Sequence, residues 1–412
     1  FVNFFSRTVS SRSEYSPAIV GVYDRLDHVR RTVLSLARCE LAESTDLFVL
    51  SDGPKEGDEK QISKVRRFLH DVRGFKSVTI IERSTNLGRI ANNRNGIAEI
   101  IRKQQRAIIM EDDNVCAPQF LKFQNYWLER IKHHNTIVAA CGYTAPSVVL
   151  RKANFSNVLL PRFSAWGYGI WDDRFQELLD TKIKKEHISL RADSAHIFMQ
   201  YGRDLYSKFR SHFFGNIDAL DIRMWYLQAT RSYLTVHPKI SLVKNIGYDG
   251  TGLHSMPSQK FDVQLELQTD YDHRSPAYRL SRSETYEFVK WFEDAANVWD
   301  DGVTDKFFAK IDDAGTKCFA IWGTDILTYL FLRDADDRGY TISHFINTWA
   351  DEDSFFNGQK VLTPEEAMTK DISHIVVLSC KSVDQIISHA KHLGADFKFI
   401  YLNEDEFSDK KK

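Results

Sequence analysis

The 412 residues carry a formal net charge of -1 and are 43% hydrophobic, enough chain for two or three domains that each bury a core. Near-neutral charge argues against a nucleic-acid binder, which normally shows a basic excess or a basic face. No stretch approaches the roughly 18 consecutive apolar residues of a membrane helix.

The first 145 residues alternate between two patterns. Residues 18–23 form a short apolar run, the signature of a strand covered on both faces. Asp27 is placed to cap a helix whose Val29, Val33 and Leu36 share one face. The cycle repeats as a strand over 47–50, a helix over 59–69, a strand over 77–81, a helix over about 90–101 and a strand over 107–110. Such alternation predicts a parallel sheet with ligands at the carboxyl ends of its strands. Those ends carry Asp24-Arg25, Ser51-Asp52-Gly53 and Glu111-Asp112-Asp113. After the third strand come Asn86-Leu87-Gly88-Arg89 and Asn92-Asn93-Arg94-Asn95-Gly96.

From 143 to 256 the pattern is less regular and rich in aromatics and glycine, including Trp166-Gly167-Tyr168-Gly169-Ile170-Trp171 ahead of Asp172-Asp173. A helical stretch near 218–227 follows, then a strand and glycine-rich loop over 242–254 that ends in His254. Residues 257–311 read as a partly helical polar connector. Alternation restarts over 312–404, with strands at 318–322, 340–346, 374–378 and 397–401 and a helix at about 383–393, the pattern of a Rossmann-like α/β domain. Its first turn, Gly323-Thr324-Asp325-Ile326, lacks the second and third glycines that let a backbone approach a pyrophosphate. A docking or structural role is therefore preferred for this domain. Residues 405–412 are a charged tail.

Three adjacent carboxylates at the end of an apolar strand repel one another, and burial adds to the cost. A cation relieves both, and hard oxygen donors favour Mn2+ or Mg2+. A metal held by one or two protein carboxylates keeps positions open for diphosphate oxygens. The competing reading is a solvated acidic turn ahead of the helix that follows Pro118, with Phe120, Phe123, Trp127 and Ile131 on its apolar face.

Taken in order over roughly the first 255 residues, these pieces resemble the GT-A fold glycosyltransferases, especially inverting bacterial polysaccharide transferases and the N-acetylglucosaminyltransferase I type. They are Tyr23-Asp24-Arg25, Ser51-Asp52-Gly53, Asn86-Leu87-Gly88, Asn92 to Ile97, Glu111-Asp112-Asp113 with Pro118-Gln119-Phe120, Trp166-Gly167-Tyr168-Gly169, an acidic helix start and a late histidine. The resemblance implies a GT-A (nucleotide-diphospho-sugar transferase) domain over 1–256. It implies metal-dependent transfer of a sugar, hexosyl or N-acetylhexosaminyl, from a UDP-linked donor to a hydroxyl of a glycan or lipid-linked glycan acceptor, with inversion, in bacterial surface polysaccharide synthesis.

The same resemblance assigns roles. Asp113 and His254 would hold the metal, and Asp112 would lie near the ribose or donor sugar. Asp52 would accept from the uracil ring, Arg25 would hold base or phosphate, and Asn86 and Arg94 would line the nucleotide pocket. Transfer needs one carboxylate to take the acceptor hydroxyl's proton. Asp218 and Asp221, three apart and so on one helix face, both fit, with Asp221 favoured. Asp172-Asp173 is an outside candidate that reads better as a helix cap. Trp166, with Gly167 letting the backbone come close, is the candidate sugar floor, whereas Trp171 reads as core.

Two rivals stand beside this reading. A nucleotidyltransferase would show a Gly-rich basic first loop, which Tyr23-Asp24-Arg25-Leu26 is not. A degenerate, non-catalytic sugar- or partner-binding module is the other. Cys39, Cys116, Cys141, Cys318 and Cys380 are scattered and without metal spacing, as in a reducing compartment. No charged-then-apolar leader is present, and because the chain opens at Phe1 a preceding segment is left open. The reading is a cytoplasmic protein, at most peripherally attached to the inner face of a membrane.

Overall fold

The computed structural model describes residues 14–152, 155–183, 201–202, 204–213, 218–249, 261–265, 271–295, 301–323, 328, 331–332, 335–336, 338–348, 350, 354–356, 359–378, 383–403 and 406. His254 lies outside the described residues. The chain divides into two compact units: residues 1–182 with 218–288, and residues 183–217 with 289–412.

The first unit is built on a nine-stranded sheet in the order β11-β7-β9-β6-β8-β4-β1-β2-β3. Its amino-terminal half is β1 (Ala18–Val22), β2 (Asp46–Ser51), β3 (Ser77–Glu82) and β4 (Arg106–Glu111), joined through helices α1 (Leu26–Ala37), α2 (Glu59–His70) and α3 (Arg89–Gln104). All pairings within this half are parallel. The apolar face read from the sequence of α1 is real: Val29, Val33 and Leu36 are fully buried. Asp27 does not cap that helix, which begins at Leu26 with Arg25 in the cap position. Asp27 instead lies in the first turn, where a carboxylate complements the helix dipole. Gly88 precedes α3 with φ of 81°, a left-handed conformation that costs glycine little.

Beyond β4 the sheet turns antiparallel. β8 (Tyr168–Trp171) runs opposite to both β4 and β6 (Ile137–Cys141). β9 (Leu234–Pro238) and β7 (Asn157–Leu160) follow outward. Helix α4 (Phe120–Ile131) packs on β6 and β8 through Phe120, Phe123, Trp127 and Ile131, all buried. Gly142, Gly167 and Gly169 leave room for this contact, since a Cβ on any of them would come within 3.0 Å of Phe120, Val243, Gln124 or Leu128. A short antiparallel pair, β5 (Asn114–Cys116) with β10 (Val243–Asn245), stands apart from the large sheet. Residues within the sequence-derived connector add the edge strand β11 (Ala277–Arg279), parallel to β7. Its three polar-flanked residues give no periodic signal; Tyr278 within it stacks on Phe155 at 4.8 Å.

Helix α5 (Asp172–Asp180) starts after Trp171, so Asp172 and Asp173 occupy its first turn rather than its cap. Helix α6 (Leu220–Arg231) starts after an extended Ala219. Asp218 therefore lies ahead of the helix, and Asp218 and Asp221 do not share a helical face as their spacing suggests.

The second unit holds a six-stranded sheet in the order β14-β15-β13-β12-β16-β17. These strands are β12 (Cys318–Trp322), β13 (Thr341–Ile346), β14 (Phe355–Phe356), β15 (Gln359–Leu362), β16 (His374–Val377) and β17 (Lys398–Ile400). Only the β14–β15 pairing is antiparallel. Alternate residues of β12 feed two cores. Phe319 and Ile321 join Phe307, Phe308 and Ile311 of α7 (Asp301–Asp313), while Ala320 and Trp322 join Val383 and Ala390 of α8 (Val383–His392). Both faces of this sheet are thus covered, as a near-continuous apolar strand requires.

No helix among the described residues is long and apolar enough to cross a membrane.

Candidate active site

Parallel pairing of β1 with β4 sets Gly21 opposite Glu111, so the loops that leave the two strands emerge side by side. One carries Arg25 and the other Glu111-Asp112-Asp113. A single nitrogen of Arg25, Nη2, donates to Asp112 Oδ1 at 2.5 Å and to Asp113 Oδ2 at 2.8 Å. The backbone carbonyl of Asp112 accepts from Thr32 Oγ1 of α1 at 2.8 Å.

Asp113 is held from a second direction by the β5–β10 pair. Asn245 Nδ2 donates to Asp113 Oδ1 at 2.9 Å, and the Ile246 amide donates to the Asp113 carbonyl at 2.8 Å. Gly247 comes close enough that a Cβ there would sit 2.3 Å from Asp113 Oδ2. Its amide donates to Asn245 Oδ1 at 2.9 Å, which fixes the amide of Asn245 with its nitrogen toward the carboxylate. Asn245, Gly247 and Thr32 were not singled out from sequence. The glycine-rich stretch after β10 was the available signal.

Burial, followed by like charge, sets the electrostatics of the loop. Burial, then Asp113, pushes the Glu111 carboxyl up to about 8, against the pull of Arg89, with Asp221 and Asp112 adding to the rise. The Glu111 side chain nevertheless keeps 36% of its surface open, so solvent screens part of this repulsion. Arg89 Nη1 lies 3.5 Å from Glu111 Oε1. Burial also raises the Asp112 carboxyl, with Arg25 opposing. Burial works against the charge of Arg25, but Asp112 and Asp113 outweigh it and hold the guanidinium more firmly protonated than usual. Burial, then Glu111 and Asp113, raises the Tyr248 phenol, which places that ring beside the acidic loop. His28 Nε2 lies 3.1 Å from Asp249 Oδ2 on the same side.

The remaining sequence-derived residues have partners of their own. Asp52 is 2% exposed, and its Oδ1 accepts from the Gly53 and Leu87 amides, each at 2.9 Å. Asn86 Nδ2 donates to the Gly53 carbonyl at 2.7 Å. Asp52 and Asn86 thereby tie the loops after β2 and β3 together, and Gly53 is tightly enclosed, since a Cβ there would sit 2.2 Å from the Thr85 carbonyl carbon.

Arg94 Nη2 donates to Asp218 Oδ2 at 2.6 Å, and Arg223 Nη2 donates to Asp218 Oδ1 at 3.1 Å. Asp218 is therefore an anchor between α3 and α6. Asp221 accepts from the Ile222 amide at 2.9 Å and is near enough to Glu111 and Tyr168 to raise both.

Trp166 stands edge-on to Tyr143 at 4.5 Å, Tyr248 at 5.7 Å and Phe261 at 5.9 Å. Gly167, at φ of 69°, follows it. Trp171 is committed elsewhere: its Nε1 donates to the Leu128 carbonyl at 2.8 Å, and Arg106 and Lys132 lie over its ring.

Among the described residues no three His, Cys, Asp or Glu side chains converge to hold an ion by themselves. The donor chemistry still suits a hard divalent cation, because two adjacent carboxylates already present oxygens to one cationic nitrogen. A Mg2+-like ion needs only one or two protein carboxylates when substrate phosphates complete its shell.

No protein-family model and no curated protein matches the chain. Among solved structures it is similar to the mannosyltransferase PcManGT from Pyrobaculum calidifontis in complex with GDP-Man and Mn2+. Identity there is 13% over 47% of this chain and 54% of that one, with a TM-score of 0.28. It is also similar to S. aureus TarS, at 15% identity over 45% of this chain and 33% of that one, with a TM-score of 0.28. The chain thus spans about half of the first and a third of the second. Backbone overlap that slight says nothing by itself about chemistry.

Proposed function

We propose that the first unit is a metal-dependent glycosyltransferase of the GT-A type, which moves a sugar from a nucleotide donor, UDP-linked, to a glycan hydroxyl with inversion. The observation that carries the reading is the convergence of Asp112 and Asp113 on one cationic nitrogen at the carboxyl ends of β1 and β4. That edge is where ligands of open α/β sheets bind.

Asp112 and Asp113 would hold Mn2+ or Mg2+, which when bound supplies positive charge to the departing diphosphate. Asp52 and Asn86 shape the floor on which the base would rest. Arg25 offers a guanidinium to phosphate oxygens, a geometry that suits bidentate recognition. Asp221 accepts the acceptor hydroxyl's proton as that oxygen attacks the anomeric carbon and the bond from carbon to diphosphate oxygen breaks. The ion-paired Asp218 is the poorer base, since both of its oxygens already accept from arginines. Trp166, with Tyr248 beside it, presents an aromatic face to the apolar side of a pyranose. The second unit serves docking or structure in this reading, and surface polysaccharide is the proposed product.

The test is a thermal-shift series with UDP and UDP-sugars in Mn2+ and in EDTA. A ligand that binds only the native state raises the melting temperature. A shift lost in EDTA and in Asp113→Ala, together with donor hydrolysis lost in the same variant, supports the transferase. A folded protein that responds to no nucleotide sugar refutes it and leaves a non-catalytic module.

A further inference from the structure

We infer that Arg25 is a displaceable counter-cation: it neutralises Asp112 and Asp113 while no metal is bound, competes with the metal for their oxygens, and is freed to grip the donor diphosphate once displaced. This rests on the reading of Asp112 and Asp113 as a cation site.

The two carboxylates would otherwise stand unneutralised, each only 13% exposed. Arg25 meets both through the same nitrogen, and it contacts the oxygens Asp112 Oδ1 and Asp113 Oδ2 at 2.5 and 2.8 Å. A divalent ion held by the same two carboxylates would bring a second positive charge against Arg25, so the two cations would compete for them. The attachment runs through one nitrogen alone. A guanidinium has five N–H donors in a planar fork, and among the described residues neither Nε nor Nη1 of Arg25 has a partner.

The backbone, by contrast, is fixed. The Arg25 carbonyl accepts from the Val29 amide at 3.0 Å in the first turn of α1, so the side chain can leave without disturbing the helix. The side chain is 21% exposed, so part of it is open to solvent. Asp113 keeps its bond from Asn245 and its carbonyl bond from Ile246 when Arg25 departs, so the carboxylate stays in place.

Two consequences follow from competition. Arg25 lowers the intrinsic affinity for metal, because binding must first break two charge-assisted hydrogen bonds. It also couples metal to nucleotide. A diphosphate gives the displaced guanidinium a new anion, so each ligand raises the other's affinity, and by linkage the enhancement is reciprocal. An enzyme so built holds metal weakly until the donor arrives.

The experiment is calorimetric titration of Mn2+ into the whole protein, with and without saturating UDP, for wild type, Arg25→Gln and Arg25→Lys, with Asp113→Asn as the blank. Circular dichroism establishes that each is folded. Arg25→Gln is expected to bind Mn2+ at least tenfold more tightly than wild type without UDP, and UDP is expected to improve its Mn2+ affinity far less than it does for wild type. Arg25→Lys, whose ammonium is a point charge without the fork, falls between the two. An Arg25→Gln protein that folds only when Mn2+ is added equally supports the exchange of cations.

Folded Arg25→Gln that binds Mn2+ no more tightly than wild type, with the same gain from UDP, overturns the inference. Arg25→Gln that stays unfolded in saturating Mn2+, with Arg25→Lys titrating as wild type, also overturns it and makes Arg25 purely structural. Absence of Mn2+ binding in every variant overturns the cation-site reading itself, a distinct result.

Discussion

Asn245 donates its side-chain amide to Asp113 across 132 residues of sequence, at 2.9 Å, and so makes a two-strand pairing the support of the acidic loop. Asn245 lies opposite Asn114 in that pairing, and its amide also reaches Asn114 Oδ1 at 3.1 Å. Asn245→Ala should leave the fold intact while freeing Asp113 to rotate. Loss of a partner that orients a metal ligand typically costs about 10–100-fold in metal affinity or activity. Mn2+ titration in the presence of UDP should show a loss of that order, with a nearly unchanged melting temperature.

Gly247→Ala tests the same support by crowding. The added methyl would meet Asp113 Oδ2 at 2.3 Å and Asp113 Cγ at 2.9 Å. Either the carboxylate or the loop must move. Overpacking of this kind costs about 1–3 kcal/mol. Denaturant unfolding should show that loss together with abolished metal-dependent UDP binding. A variant of wild-type stability that still binds Mn2+ would show that the loop accommodates the methyl without touching Asp113.

Asp218 and Asp221 should separate cleanly. Asp221→Asn removes the proposed base and should lower kcat by about 100-fold or more, the usual contribution of a positioned general base. Its melting temperature should stay near wild type. Asp218→Asn breaks the pairs with Arg94 and Arg223 at a site 40% exposed. It should cost on the order of 1 kcal/mol of stability and little of the chemistry. Steady-state kinetics alongside thermal melting of both variants decides between them, and a reversed pattern would make Asp218 the base.

His237 gives the pH prediction. It is 2% exposed, with Nδ1 2.8 Å from the Tyr143 carbonyl oxygen and Nε2 2.9 Å from Thr235 Oγ1. Burial lowers its pKa to about 4, with the Tyr143 carbonyl opposing. The unfolded chain, with an ordinary imidazole near 6.5, binds more protons than the folded one between about 4 and 6.5. The His237 contribution is therefore fully present above pH 6.5 and lost as pH falls toward 4, about 3 kcal/mol in all. Urea unfolding at pH 7 and pH 5 should show wild type losing more stability than His237→Asn over that interval. Equal losses would assign the acid sensitivity to other groups.

The amino-terminal alternation was legible because its strands are apolar runs and its helices have one apolar stripe. Val29, Val33 and Leu36, or Phe120, Phe123, Trp127 and Ile131, announce their burial by spacing alone. The acidic loop was legible as three adjacent carboxylates after an apolar run, a pattern that by itself fits a solvated turn as well as a cation site. What the sequence hid is long-range. β5 and β10 have three residues each, too few for a period, and Asn245 reads locally as a turn former. Asp218 sits one extended residue ahead of its helix, and no spacing rule distinguishes that from a place inside it. The bridge from Arg25 to both carboxylates depends on the neighbouring of β1 and β4, which pattern alone leaves open.

The edge strand β11 bears on how the molecule can be divided. Asn157 of β7 donates to the Ser275 carbonyl at 2.6 Å and accepts from the Tyr271 hydroxyl, which ties the approach to β11 onto the sheet. A chain cut at the sequence-derived boundary of 256 would lose that strand and strip β7 of its outer partner. The backbone of Asn157–Leu160 would then lie bare, a template on which a second copy could pair. A chain that runs on past Arg279 keeps β11 on β7, and the backbone of Asn157–Leu160 stays paired on both sides.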